Sequence, residues 1–199
     1  MGSDSRSFIE TARRSQIIAC AIETIAELGY ASASLAQIAQ RAGISKGVIS
    51  YHFAGKEELV REIAKEVYQI GAKFIAAHIQ AETSARGRLR AYIESNLEFM
   101  GRYRKELLAL VSILMYARTK KGEMLFDIVA EDPVLQATER IFLDGQQSGE
   151  FRAFATRPMA IALRGVIDAA PGKLLGTPDF DLVAYTKEVA DLFDIGTRA

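Results

Sequence analysis

No proline occurs before Pro133, and only three follow it: Pro158, Pro171 and Pro178. A proline-free stretch rich in Ala, Leu, Ile, Glu, Arg and Lys keeps every backbone donor and uses residues that favour helices. Alternating β-branched runs, the signature of strands, are absent. The expectation is an all-α chain of about nine helices. Ile18, Ala21, Ile22, Ile25 and Leu28 form one apolar face of a first helix. It is predicted to start near Ser7 to Thr11, where Ser7 and Glu10 have capping-box spacing. Gly29 ends it. Ser34 and Gln37 repeat the capping pattern ahead of a second helix, whose inner face is Leu35, Ile38, Ala39 and Ala42. A short third helix runs from Ser45 to about Phe53. Later helices are expected at roughly 56–80, 85–102, 104–117, 120–131, 134–148, 157–170 and 179–195.

Composition narrows the function classes. Apolar residues make up 49% of the 199, enough for a real core. Lys plus Arg equals Asp plus Glu at 25 each, so the net charge is zero and total charge does not announce a nucleic-acid binder. A single cysteine, Cys20, excludes an intrachain disulfide framework, and His52 and His78 are the only histidines. Cys20, in an alanine-rich helix, reads as a small buried hydrophobe. The longest apolar stretch, Leu107 to Ala117, is far shorter than the roughly 20 residues of a membrane helix. No signal peptide is visible, and the expected compartment is the cytoplasm. No nucleophile elbow, phosphate loop or metal-spaced His pair is present, so neither an enzyme nor a metal or cofactor site is expected.

The functional signal lies where the second and third helices meet. Ala42-Gly43-Ile44-Ser45 is a glycine turn between two short helices, the pattern of a helix-turn-helix. Ile49 and Phe53, at i and i+4, would pack the third helix inward, leaving Ser45, Lys46, Gly47, Ser50, Tyr51 and His52 mostly outward. Hydroxyls, an ammonium, an imidazole and a phenol on one face suit phosphates and base edges. Between Leu28 and Lys56 there is no acidic residue, while Arg41, Lys46 and Lys56 give a local charge of +3.

The run from Ser34 through Gly43-Ile44-Ser45-Lys46-Gly47 and Tyr51-His52-Phe53 to Lys56-Glu57-Glu58-Leu59 resembles the DNA-binding domain of the tetracycline-repressor (TetR) family, over roughly residues 10–65. The resemblance implies a helix-turn-helix domain at 1–55 and a helical ligand-binding and dimerisation domain at 56–199. It implies a homodimer on a palindromic duplex operator, released when a small-molecule effector binds. By position, Ser34 and Lys56 match phosphate contacts, and Lys46, Gly47, Tyr51 and His52 match recognition-helix contacts. The family usually has Thr near position 48 and Tyr at position 50; Val48 and Ser50 depart from that, and Tyr51 is expected to replace part of the lost contact.

Effector-pocket candidates are aromatic, sulfur-bearing and polar residues of the middle helices: Phe74, His78, Asn96, Met100, Tyr103, Met115, Tyr116 and Phe142. Each aromatic has a plain core role as its alternative. Asn96 stands out because a buried amide needs a partner. The 107–116 helix, apolar all round, is expected to be buried on every side. Leu163, Val166, Ile167, Val189 and Phe193 mark the last two helices as a dimer interface, with Gly165 permitting close approach and Arg164 and Asp168 able to pair at i, i+4. The competing readings are an all-α enzyme with an incidental helix-turn-helix, or a protein-interaction module that ignores DNA.

Overall fold

A computed structural model describes residues 2–126 and 133–199, with side chains from Phe8 onward. Among them the chain is all-α, as its proline distribution predicts. The helices are α1 (Gly2–Leu28), α2 (Leu35–Arg41), α3 (Lys46–His52), α4 (Lys56–Gln80), α5 (Ala85–Arg102), α6 (Arg104–Tyr116), α7 (Pro133–Ser148), α8 (Thr156–Gly176) and α9 (Leu182–Thr197). Two compact units emerge: residues 1–69 with 105–127, and residues 70–104 with 128–199.

In the first unit, Ile17, Ile18, Ala21, Ile22 and Ile25 of α1 are buried together with Ile38, Ile49, Phe53, Leu59 and Ile63. The apolar periodicity of 18–28 is therefore the core face of α1. The helix begins earlier than the capping pattern suggests: it is continuous from Gly2, so Ser7 lies inside it. α6 adds Leu107, Ala109, Leu110 and Ile113 to the buried set. It is not buried all round, because its last turn emerges and leaves Met115 56% and Tyr116 59% exposed.

The segment predicted as a helix at 120–131 is not helical over 120–126. Arg118 and Met124 form an isolated antiparallel bridge, closed by Thr119 N–H donating to the Glu123 carbonyl at 2.8 Å. Gly122, at φ +85°, makes the reversal that other residues resist. Residues 127–132 lie outside the described residues.

In the second unit, α5 packs against α7, α8 and α9. α8 runs to Gly176, straight through Pro171, where the sequence predicts a stop. The proline forfeits one helical hydrogen bond, yet Ala170 and Leu174 on either side remain buried. Burial of the flanking turns holds the helix together across the break.

Candidate nucleic-acid interface and a buried polar cluster

Two serines set the geometry of the helix-turn-helix. Ser34 caps α2 with a complete box: Gln37 N–H donates to Ser34 Oγ at 3.2 Å, and Ser34 N–H donates to Gln37 Oε1 at 2.8 Å. Ser45 caps α3 by accepting from Val48 N–H at 3.3 Å. Between them Gly43 takes φ +65°, the left-handed conformation that glycine adopts without penalty.

The outward face of α3 is the one the spacing predicts. Ile49 and Phe53 are buried, while Ser45, Lys46, Gly47, Ser50 and Tyr51 are exposed. Tyr51 is 75% exposed; its hydroxyl reaches Glu10 of α1 at 3.4 Å, and its ring meets His52 edge-on at 5.0 Å. His52 is half-buried, and its carbonyl accepts from the Arg14 guanidinium, which also lies 4.3 Å from the centre of the Phe53 ring. Arg14 thus braces the C-terminal end of α3, a role that nothing in the local pattern signals.

The local charge is smaller than the sequence count. Arg41 turns back to α1 and pairs with Glu23 at 3.1 Å and with Glu27. Two α1 carboxylates, outside the acid-free window, cancel it. Lys56 is half-buried, with Nζ 4.1 Å from the centre of the Tyr30 ring and donating to the Tyr30 carbonyl. Desolvation lowers its pKa from the ordinary lysine value. Of the three cations, Lys46 alone is exposed without an ion-pair partner among the described residues.

The proposed effector residues divide between the units. Phe74 and Tyr103 belong to the second unit, where Tyr103 stacks on Phe99 at 4.7 Å and Phe74 lies 6.1 Å from Tyr103. His78 is exposed, and its Nδ1–H donates to the Phe74 carbonyl, 2.8 Å away. Met100 and Phe142 are buried. Met115 and Tyr116 belong to the first unit and are exposed, so the eight residues are not one cluster.

Asn96 does have the partner a buried amide requires. Its Nδ2 donates to the Tyr92 carbonyl at 2.7 Å, which aims Oδ1 at Arg164 Nη1, 3.2 Å away. The same Nη1 donates to the Tyr92 hydroxyl at 2.9 Å. Thr138 Oγ1 lies 2.7 Å from that hydroxyl and 2.8 Å from the Val134 carbonyl. Arg164 Nη2 pairs with Asp168, the i, i+4 partner expected. The sequence marks Arg164 only as the i, i+4 partner of Asp168; no spacing links it to Tyr92 or Thr138.

Four of the five interface residues face inward. Leu163, Ile167, Val189 and Phe193 are buried within the protomer, and Val166 is half-buried with its carbonyl accepting from Tyr185. A side chain packed in its own core cannot also be the contact surface of a pair. The apolar stripes read from sequence are the inner faces of α8 and α9. The outer face of α8 instead shows Ile161, Gly165, Ala169 and Gly172, and that of α9 shows Leu192 and Ile195. No helix among the described residues is long and apolar enough to cross a membrane.

Residues 17–63 match the family profile described as bacterial regulatory proteins, tetR family. The HTH-type transcriptional regulator BetI 1 of Chromohalobacter salexigens is 37% identical over 87 residues, 43% of each chain. BetI of Ectopseudomonas mendocina is 38% identical over 88 residues, 43% of this chain and 45% of the relative. The matched stretch thus spans less than half of these curated relatives. Among solved structures, the fatty acid degradation regulator FadR from Bacillus halodurans superposes with a TM-score of 0.76 at 22% identity, over 92% of this chain and 94% of that one. FadR from Bacillus subtilis, solved with stearoyl-CoA, gives a TM-score of 0.69 at 25% identity, over 89% and 95%.

Proposed function

Residues 17–63 match the tetR-family profile, and from that match we propose that the protein is a sequence-specific DNA-binding regulator of this family. The carrying observation is the outward face of α3: Lys46, Gly47, Ser50 and Tyr51 exposed, on a helix whose other face, Ile49, is wholly buried. A rigidly seated helix that presents polar side chains and a glycine is built to enter a major groove. In this reading Lys46 contacts a phosphate, and Tyr51, Ser50 and His52 meet bases or sugars. Ser34 and Ser45 steady the two helices while offering hydroxyls to the backbone. Lys56, held on Tyr30, supplies positive charge at the edge.

The division of labour follows: residues 1–55 bind DNA, and residues 56–199 bind a small, largely apolar effector and form a homodimer. The dimer surface consists of the outward residues of α8 and α9, with Gly165 and Gly172 having open space where a partner helix approaches. Two-fold symmetry then sets two recognition helices about 34–36 Å apart on a palindromic operator. An effector that prefers another spacing lowers operator affinity, and by linkage the operator lowers effector affinity equally. The protein then acts as a cytoplasmic repressor, not as an enzyme.

Selection from a random duplex pool at moderate salt tests the reading. Enrichment of a pseudo-palindrome is expected. A purified protein that carries no co-purifying small molecule by mass spectrometry, and still enriches no sequence, overturns it.

A further inference from the structure

Arg164 is a deeply placed cation, with its side chain only 16% exposed. A guanidinium cannot shed its charge, so its burial must be offset by partners. Nη1 is satisfied by two neutral acceptors, the Tyr92 hydroxyl at 2.9 Å and Asn96 Oδ1 at 3.2 Å. Tyr92 and Thr138 each have one hydroxyl proton. A relay from Tyr92 to Thr138 to the Val134 carbonyl uses both, leaving the Tyr92 oxygen as an acceptor for Arg164. This side of the guanidinium is closed and rigid.

The other edge is not. Nε and Nη2 project parallel N–H groups, the fork that a carboxylate fills with two oxygens. Here Nη2 is held by Asp168 through a single oxygen, Oδ1. Nε is buried and has no partner among the described residues. An unpaired donor on a buried cation is costly. Asp168 pairs with Nη2 from a side chain that is 59% exposed, so water screens part of its charge.

We infer that the Nε–Nη2 edge of Arg164, braced by Tyr92 and Asn96, is the seat for the carboxylate of an amphipathic small molecule. The carboxylate accepts from both N–H groups and displaces Asp168. The helix that carries Tyr92 and Asn96 also contributes the buried apolar side chains Ile93, Leu97 and Met100, which favours an amphipathic acid over a wholly polar one. The inference deepens the ligand-responsive reading above: it gives the effector its charge and its anchoring residue.

The test uses the full-length protein with octanoate and benzoate as probes and octan-1-ol and benzyl alcohol as uncharged counterparts. The Arg164 Nε–H resonance, assigned by its disappearance in Arg164→Lys, is followed by NMR, and dissociation constants by calorimetry. Octanoate or benzoate is expected to shift that resonance and to bind at least tenfold more tightly than its alcohol. Asp168→Asn, a change at an exposed position, removes the competing negative charge and is expected to raise carboxylate affinity about 2- to 5-fold, the scale of an exposed ion pair. The same samples are titrated with operator. Neither acid shifting the resonance, in wild type and in Asp168→Asn, overturns the site. A protein that binds no duplex while its Arg164 resonance responds overturns the regulator reading and leaves the site standing.

Discussion

At the scale of single residues, charge is decided by the partner each side chain finds. Lys46 and Lys56 look alike in the sequence and differ in the fold. Lys46→Ala is expected to weaken operator binding for all sequences alike and to lower the salt slope by about one unit. Lys56→Ala removes a cation–π contact and a hydrogen bond to Tyr30 as well, so it is expected also to cost about 1–2 kcal/mol of stability. Equilibrium unfolding beside a salt series of operator titrations separates the two; equal stability losses for both variants contradict the assignment. Gly145 is a second case. A Cβ there would lie 2.0 Å from the Phe151 ring, and Phe151 itself stands edge-on to the buried Phe142 at 6.2 Å. Gly145→Ala is expected to destabilise by about 1–3 kcal/mol, the usual range for overpacking. A melting temperature unchanged from wild type would show that the ring has somewhere to go.

At the scale of elements, the second unit is tied by an ionic knot joining three segments. Asp194 near the end of α9 accepts from Arg86 at the start of α5, at 2.9 and 3.0 Å, and from Arg198 at 2.7 Å. Glu150, in the turn after α7, accepts from the backbone N–H groups of Ala85 and Arg86 at 2.9 and 3.2 Å, and so caps α5 from a distant part of the chain. The Arg86 guanidinium, with Arg198, holds the Asp194 carboxyl at about 2, below its ordinary 3.8. The Ala85 and Arg86 donors likewise lower Glu150. A carboxyl depressed in the folded state contributes stability above its unfolded value and loses it as pH falls towards its folded one. For Asp194 that window runs from about 4 to about 2. Asp194→Asn is expected to be less stable at pH 5 and to lose less than wild type between pH 5 and pH 3. Urea midpoints at the two pH values measure this, and an identical loss in both proteins would remove Asp194 from the account. None of these pairings has a sequence signature, since Arg86 and Asp194 are 108 positions apart.

At the scale of the whole molecule, the single chain leaves an apolar surface uncovered, and the proposed homodimer would use it. Leu192 and Ile195, 62% and 70% exposed at i, i+3 on α9, lack an intramolecular reason to be apolar. Ile195→Glu is expected to shift the protein to monomer in light-scattering chromatography and to reduce operator affinity at least a hundredfold, because one recognition helix cannot span two half-sites. The fold itself should persist, as the substituted side chain faces water. A dimer retained by this variant and by Leu192→Glu would move the pairing surface off α9.

What the sequence determined by itself is whatever arises within a few turns of chain. The all-α class, both serine caps, the Gly43 turn and the inward Ile49 and Phe53 follow from spacing and from local hydrogen bonding. The same periodicity misled at α8 and α9, because a stripe of Leu163, Ile167, Val189 and Phe193 looks the same whether it faces its own core or a partner. It also gave no warning at Pro171, where burial of neighbouring turns outweighs a missing hydrogen bond. Tertiary structure alone decided that Arg41 is cancelled by Glu23 and Glu27. It alone brought Arg164 against Tyr92 and Asn96, 72 and 68 positions away. Electrostatics acts across space, so the charge of a site is settled only when distant segments of the chain meet.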